Sequence, residues 1–164
     1  MNKYTNQNGF TLIELIIFMG LFSIIITILT SLFAATVQQQ MSTQALSSSE
    51  SDAAYLLARL EYDIDRATSV NEPFAIGETS SNLELTISGN TYQYSVIDGV
   101  LLLETPTGTH RLTNPRSTVE SISFQKIGNT GGAPTIKILM QIKGIAENIP
   151  VPQIATLDTT ILLR

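Results

Sequence analysis

Cysteine and tryptophan are absent from this 164-residue chain, histidine occurs once, and ionic side chains are scarce. Without cysteine there is no disulfide framework, no thiolate zinc site and no cysteine nucleophile. The compartment stays open, because many exported proteins also lack cysteine. Charged residues make up 14% of the chain, against roughly 25% in a typical soluble domain. The shortfall is local. Between Glu14 and Glu50 lie 35 residues without one Asp, Glu, Lys or Arg. A net charge of −5 argues against bulk nucleic-acid binding.

What fills the charge gap is apolar. Leu15 to Val37 reads LIIFMGLFSIIITILTSLFAATV, hydrophobic all round rather than on one stripe. As a helix it spans about 35 Å, enough for a bilayer core of roughly 30 Å. Helix is the form that satisfies backbone polar groups in lipid. No proline interrupts it. Gly20, Ser23, Thr27, Thr30 and Ser31 either let a second helix approach closely or are ordinary membrane-helix composition. Lys3 is the one basic residue before Arg59, which places the N-terminus on the cytoplasmic side. A plain secretory signal is the rival reading. It requires an unusually long apolar region and cleavage near Ala34, with Leu32 where a small residue is preferred. Glu14, a carboxylate at the doorstep of the run, is either a functional charge awaiting a partner or a snorkelling anion favoured by the helix dipole.

Asn8-Gly9-Phe10-Thr11-Leu12-Ile13-Glu14 closely resembles the type IV prepilin signal: Gly, Phe, then Thr-Leu-Ile-Glu leading into an unbroken apolar helix. The resemblance implies a leader, Met1–Gly9, cut by prepilin peptidase between Gly9 and Phe10, with N-methylation of Phe10. It makes Glu14 the acidic position that attracts the N-terminal amine of a neighbouring subunit in the filament. The implied partners are prepilin peptidase, other pilin or pseudopilin subunits through the N-terminal helix, the inner-membrane assembly platform and membrane lipid. DNA is a further partner that no dense basic cluster supports. The helix lacks the mid-membrane proline of many major pilins, although Gly20 can soften it.

Beyond the apolar run, Val37, Met41 and Ala45 recur at four-residue spacing through a Gln/Ser-rich stretch, which predicts a continuing helix. Ala53, Leu56, Leu57, Leu60, Ile64 and Ala67 then form one face. Glu50, Asp52, Arg59, Asp63 and Arg66 take the other, predicted to be solvated. Pro73 ends the helix, because residues before proline avoid the α region. The predicted organisation is a leader at 1–9, one helix over 10–70 with about 15–37 in the membrane, and a β domain over 71–164 outside the cytoplasm.

Short strands with turn signals follow. They are predicted near Phe74–Gly77, Leu83–Ser88, Thr91–Ile97, Val100–Glu104, Thr109–Thr113, Val119–Ile127, Thr135–Lys143 and Thr156–Leu163. Asp98-Gly99 predicts a tight hairpin with positive φ at both residues, and Ser88-Gly89-Asn90 a second turn. Gly128–Pro134 reads as a flexible loop and Ile149-Pro150-Val151-Pro152 as an extended connection. Ile136, Ile138, Met140 and Ile142 alternate with a mainly polar set, a half-buried strand. The fold class is α+β, pilin-like, a long helix laid on an antiparallel sheet. The segments Leu60–Ala67, Tyr92–Leu101, Ile122–Phe124 and Asp158–Arg164 resemble minor subunits: J-type pseudopilins of type II secretion, W-type minor pilins and competence minor pilins.

No catalytic constellation, phosphate loop or metal-ligand spacing is present, and no cofactor is implied. Glu61, Asp63 and Asp65 point in different directions on a helix and lack the pattern of a calcium loop. His110 reads as a surface residue beside a turn. Residues 50–104 hold ten acids against Arg59 and Arg66, net −8, whereas residues 105–146 are net +4. That asymmetry is complementary head–tail contact between subunits, a DNA-binding patch in an uptake pilus, or two solvated surfaces. The function expected is a filament subunit of a type IV pilus, type II secretion or competence system, and no enzyme. The rivals are a bitopic anchor with an extracytoplasmic ligand-binding β domain and an exported enzyme released by signal cleavage.

Overall fold

The structure is a computed structural model that describes residues 10–128, 132, 134–145 and 153–163. The leader Met1–Gly9, most of the Gly128–Pro134 loop and the Ile149–Pro152 connection lie outside the described residues. The chain divides after Gln40 into two compact units. A single helix, α1 (Leu12–Asp65), contributes to both.

In the first unit every described residue is exposed. This part of α1 contains a stretch of mean hydropathy 2.7, long and apolar enough to cross a membrane. Four of its hydroxyl side chains are satisfied by its own backbone. Thr27, Thr30, Ser31 and Thr36 each donate a hydroxyl hydrogen to the carbonyl four residues earlier, at 2.8–2.9 Å. A hydroxyl satisfied in this way no longer demands water, which suits an apolar surrounding.

In the second unit α1 packs on two antiparallel sheets, an α+β architecture. Nine strands follow: β1 (Ser69–Glu72), β2 (Thr79–Ser80), β3 (Leu83–Ile87), β4 (Asn90–Ile97), β5 (Val100–Thr105), β6 (Gly108–Arg111), β7 (Ser117–Ile127), β8 (Thr135–Gly144) and β9 (Gln153–Leu162). The five-stranded sheet has the order β1-β3-β4-β5-β6 and the four-stranded sheet β2-β7-β8-β9. The core gathers Leu56, Leu60 and Ile64 of the helix with Leu83 and Leu85 of β3, Tyr94 of β4, Phe124 of β7, and Ile136, Ile138, Met140 and Ile142 of β8. On β8 these residues are buried while Lys137, Leu139, Gln141 and Lys143 are not, the alternation read from the sequence.

The hairpins follow their turn residues. Asp98 (φ 51°) and Gly99 (φ 74°) close β4–β5, and Ser88 (φ 51°) and Gly89 (φ 80°) close β3–β4. Both are two-residue turns with positive φ at each centre, the form whose twist matches the strands. Gly99 also serves packing. Its carbonyl accepts the Val119 N–H at 2.8 Å and the Thr118 hydroxyl at 3.1 Å. A Cβ there would stand 2.0 Å from Thr118 Oγ1.

Two expectations are corrected. The helix stops at Asp65, and Ser69–Glu72 is strand β1 rather than helix. The Thr68 N–H and hydroxyl both donate to the Thr86 carbonyl, at 2.8 and 2.9 Å, so the chain begins to track β3 directly. The bias before Pro73 reaches Glu72, and antiparallel pairing with β3 sets the rest of the strand. Phe74–Gly77 is a turn rather than a strand. Its apolar composition reads as buried, yet Phe74 is 80% exposed. Gly77 sits at φ 88°, and its N–H donates to the Lys126 carbonyl at 2.7 Å.

Candidate functional site

The helix start is built by Thr11. Its Oγ1 accepts the Glu14 N–H at 3.4 Å and its carbonyl accepts the Leu15 N–H at 3.2 Å. Thr11 is therefore the N-cap, with Glu14 three residues on, the spacing of a capping box. Phe10 lies before the cap, outside the helix, and is 84% exposed. Glu14 is exposed in the first turn, where the helix macrodipole favours an anion. Gly9 lies outside the described residues. Phe10 and Glu14 thus stand about one turn apart at the free end of an apolar helix. Phe18 and Phe22, one turn further on, stack with ring centroids 6.1 Å apart.

In the second unit α1 carries two buried acids, which corrects their placement on a solvated face. Asp63 is fully buried. Its Oδ2 accepts from Arg59 Nε at 2.9 Å and from the Tyr94 hydroxyl. Among the described residues its Oδ1 has no partner. Burial, and then the hydrogen bond to the Asp63 carboxylate, push the Tyr94 phenol well above its ordinary value of 10.0. Burial works against the Arg59 charge, but the hydrogen bonds and charges of Tyr94 and Asp63 outweigh it and hold its pKa up. Asp52 is the second buried acid. Its Oδ2 accepts the Asn114 N–H at 2.9 Å and the Ser117 hydroxyl. One acid therefore ties the helix to β4, and the other ties it to the turn leading into β7.

Sequence reasoning missed both. Their partners lie 31 to 65 residues away, beyond any helical spacing. Only Arg59–Asp63, at four-residue separation, was visible, and it is a true ion pair. Glu61 and Asp65 are exposed, and His110 is exposed on β6. Among the described residues no group of three or more His, Asp or Glu side chains is gathered for a metal ion.

Residues 4–30 match the prokaryotic N-terminal methylation motif. No curated protein and no solved structure matches the chain. The match takes in the cap, Glu14 and the exposed apolar helix as far as Thr30. It ends before the second unit begins.

Proposed function

We propose, from the premise of a type IV pilin-like N-terminus, that this protein is a structural subunit of an extracytoplasmic filament, inserted as a prepilin and assembled through its N-terminal helix. One observation carries the reading: the methylation motif runs without a break into a helix with no charge between Glu14 and Glu50 and no buried side chain before Met41. Such a surface is stable in lipid or against copies of itself, and in neither case does water remain on it.

The chemistry of the helix end supports the roles. Prepilin peptidase cuts between Gly9 and Phe10, outside the capped turn. The new amine on Phe10, N-methylated, is a cation at the positive end of a helix dipole, where a cation alone is unfavourable. Glu14 of a neighbouring subunit relieves it. The two charges neutralise each other in an apolar core, and an unpaired one there is costly, so the pair sets the register between adjacent helices. Before assembly the subunit spans the inner membrane once over about 15–37, with its N-terminus in the cytoplasm and the β domain outside. Membrane lipid, the assembly platform and other pilin subunits are its partners.

Within this class the chain reads as a minor pilin or pseudopilin of the J-type or W-type kind, from the order of its helix end, Tyr92–Leu101 hairpin and terminal strand. The retained acid at Glu14 argues against the tip subunit that lacks it. The role is assembly and transmission of force rather than catalysis.

Mass spectrometry of the protein from cells with active prepilin peptidase tests the reading. The expected N-terminus is Phe10 carrying one methyl group. An intact Met1–Gly9 would sink the proposal in favour of a bitopic anchor, and an N-terminus near Ala34 would favour an exported, released protein. Glu14→Ala should leave cleavage unchanged but strongly reduce filament incorporation. Wild-type incorporation of that variant would remove the charge-pairing role.

A further inference from the structure

In the second unit, a cleft of about 580 Å³ opens between α1 and the strands β4, β5 and β6. Its walls include Tyr55 and Arg59 of the helix, Tyr92 of β4, Thr107 of the β5–β6 turn, and His110 and Arg111 of β6. None of its described lining residues is acidic. With Arg59 and Arg111 in its wall the cleft carries basic groups in a chain of net charge −5, although five of its lining residues come from the 50–104 segment of net −8. Two acids border it: Asp63, buried behind Arg59 and paired with it, and Glu104, which lines a hollow that shares Thr105 and Pro106 with the cleft.

The cations are held in place. Arg59 is anchored from behind by the buried Asp63 through its Nε, while its side chain stays about a third exposed. Arg111 Nε donates to the Thr113 carbonyl at 2.9 Å. Each guanidinium is therefore steadied by one nitrogen and lies at the cleft wall. A planar fork held this way matches the two oxygens of a carboxylate or the oxygens of a phosphate, and little ordering entropy remains to be lost on binding. Tyr55 is half exposed and Tyr92 partly buried, so two aromatic residues border the same space. The volume falls in the range of small-molecule sites.

We infer that this cleft binds an organic oxyanion, a carboxylate or phosphate carried on a compact ring, with Arg111 taking the charge, Arg59 (its own charge met by Asp63) adding N–H donors, His110 and Thr107 the remaining polar groups, and the tyrosines the body of the ligand. The site is separate from the assembly segment and does not depend on how the N-terminal helix is used. It gives the displayed domain a ligand of its own.

The test uses the full chain in detergent micelles, with tyrosine and histidine rings labelled for NMR. A single histidine and five tyrosines make the spectrum tractable. The probes are galacturonate, galactose (the same ring without the carboxylate), glucose 6-phosphate and acetate. Saturable shifts of Tyr55, Tyr92 and His110 are expected with galacturonate or glucose 6-phosphate, showing which oxyanion is preferred. Galactose and acetate, each lacking half of the recognition, should bind about tenfold more weakly or worse. Arg111→Gln should abolish the shifts while thermal unfolding stays unchanged. Should that variant unfold, His110→Ala, on an exposed edge strand, is the second, with an expected severalfold loss of affinity. No saturable shift with either charged sugar would overturn the inference. So would equal binding of galactose, or shifts that survive both substitutions. Shifts produced by protein concentration alone, with no response to the sugars, would overturn it in favour of contact with an acidic surface of a second copy.

Discussion

One helix lives under two regimes. From Leu12 to Gln40 it turns large apolar side chains outward on every face, and its hydroxyls bond to their own backbone. From Met41 to Asp65 it buries one face, and its acids reach across to distant strands. The secondary structure is the same in both, so the backbone does not distinguish them. The difference lies in where each polar group finds its partner. A segment that satisfies itself is independent of what surrounds it and can exchange lipid for another helix. A segment that borrows partners from the sheet is committed to one position.

The sharpest way to break this comparison is to make the same change in both halves. Leu60→Ala, at a site with no exposure in the packed half, should destabilise the β domain by about 3 kcal/mol through lost burial and a residual cavity. Leu29→Ala, at a site 56% exposed in the other half, should change it by less than about 0.5 kcal/mol. Denaturant titration followed by near-ultraviolet circular dichroism reads both. Equal losses would mean that the two halves are not under separate rules.

Asp63→Ala is the next largest. It removes the acceptor of a buried phenol and of Arg59, and should cost about 1.5–3 kcal/mol, the range of hydrogen bonds to a charged group. Arg59, about a third exposed, can recover water, so the loss should fall short of that for a fully buried ion pair. The same denaturant curves measure it.

The smallest effect is in pH dependence. The folded-state pKa of Tyr94 lies above its unfolded one. Its contribution to stability is therefore whole below the ordinary value of 10.0 and declines as pH rises past it, because the unfolded state then releases the proton more readily. Unfolding midpoints measured from pH 8 to 11 should fall at the alkaline end in the wild type. The fall should be shallower in Tyr94→Phe, even though that variant starts lower. An identical alkaline slope would show that the phenol is not the group responsible.

Where the sequence was legible, a short-range rule applied. The Leu56–Leu60–Ile64 face, the alternation along β8 and the Asp98-Gly99 hairpin all depend on residues within a few positions of each other. The motif around Phe10 and Glu14 is also local, which is why a seven-residue string pointed to a type IV pilin-like N-terminus. The failures share the opposite cause. Asp52 and Asp63 read as solvent-facing because an acid on a helix normally is, and the donors that satisfy them enter from a distant strand and turn. Phe74 and Ile76 read as strand because apolar residues normally seek cover, yet their turn is pinned from outside by Lys126, whose ammonium donates to the Val70 and Phe74 carbonyls at 3.0 Å each. The cleft at Arg111 was invisible for the same reason, since it exists only once β6 lies beside β5 and faces the helix.

Gly144, the last residue of β8, approaches the helix so closely that a Cβ would stand 2.2 Å from the Ala45 carbonyl oxygen. Helix and strand meet there backbone to backbone, with no side chain between them to change rotamer or compress. Were the chain pulled along its helix, as the proposed filament role requires, that contact would be a stiff joint. Tension entering the domain at Ala45 meets main chain at once and passes into β8, which is hydrogen-bonded to both β7 and β9. A softer joint, cushioned by flexible side chains, would stretch before it transmitted.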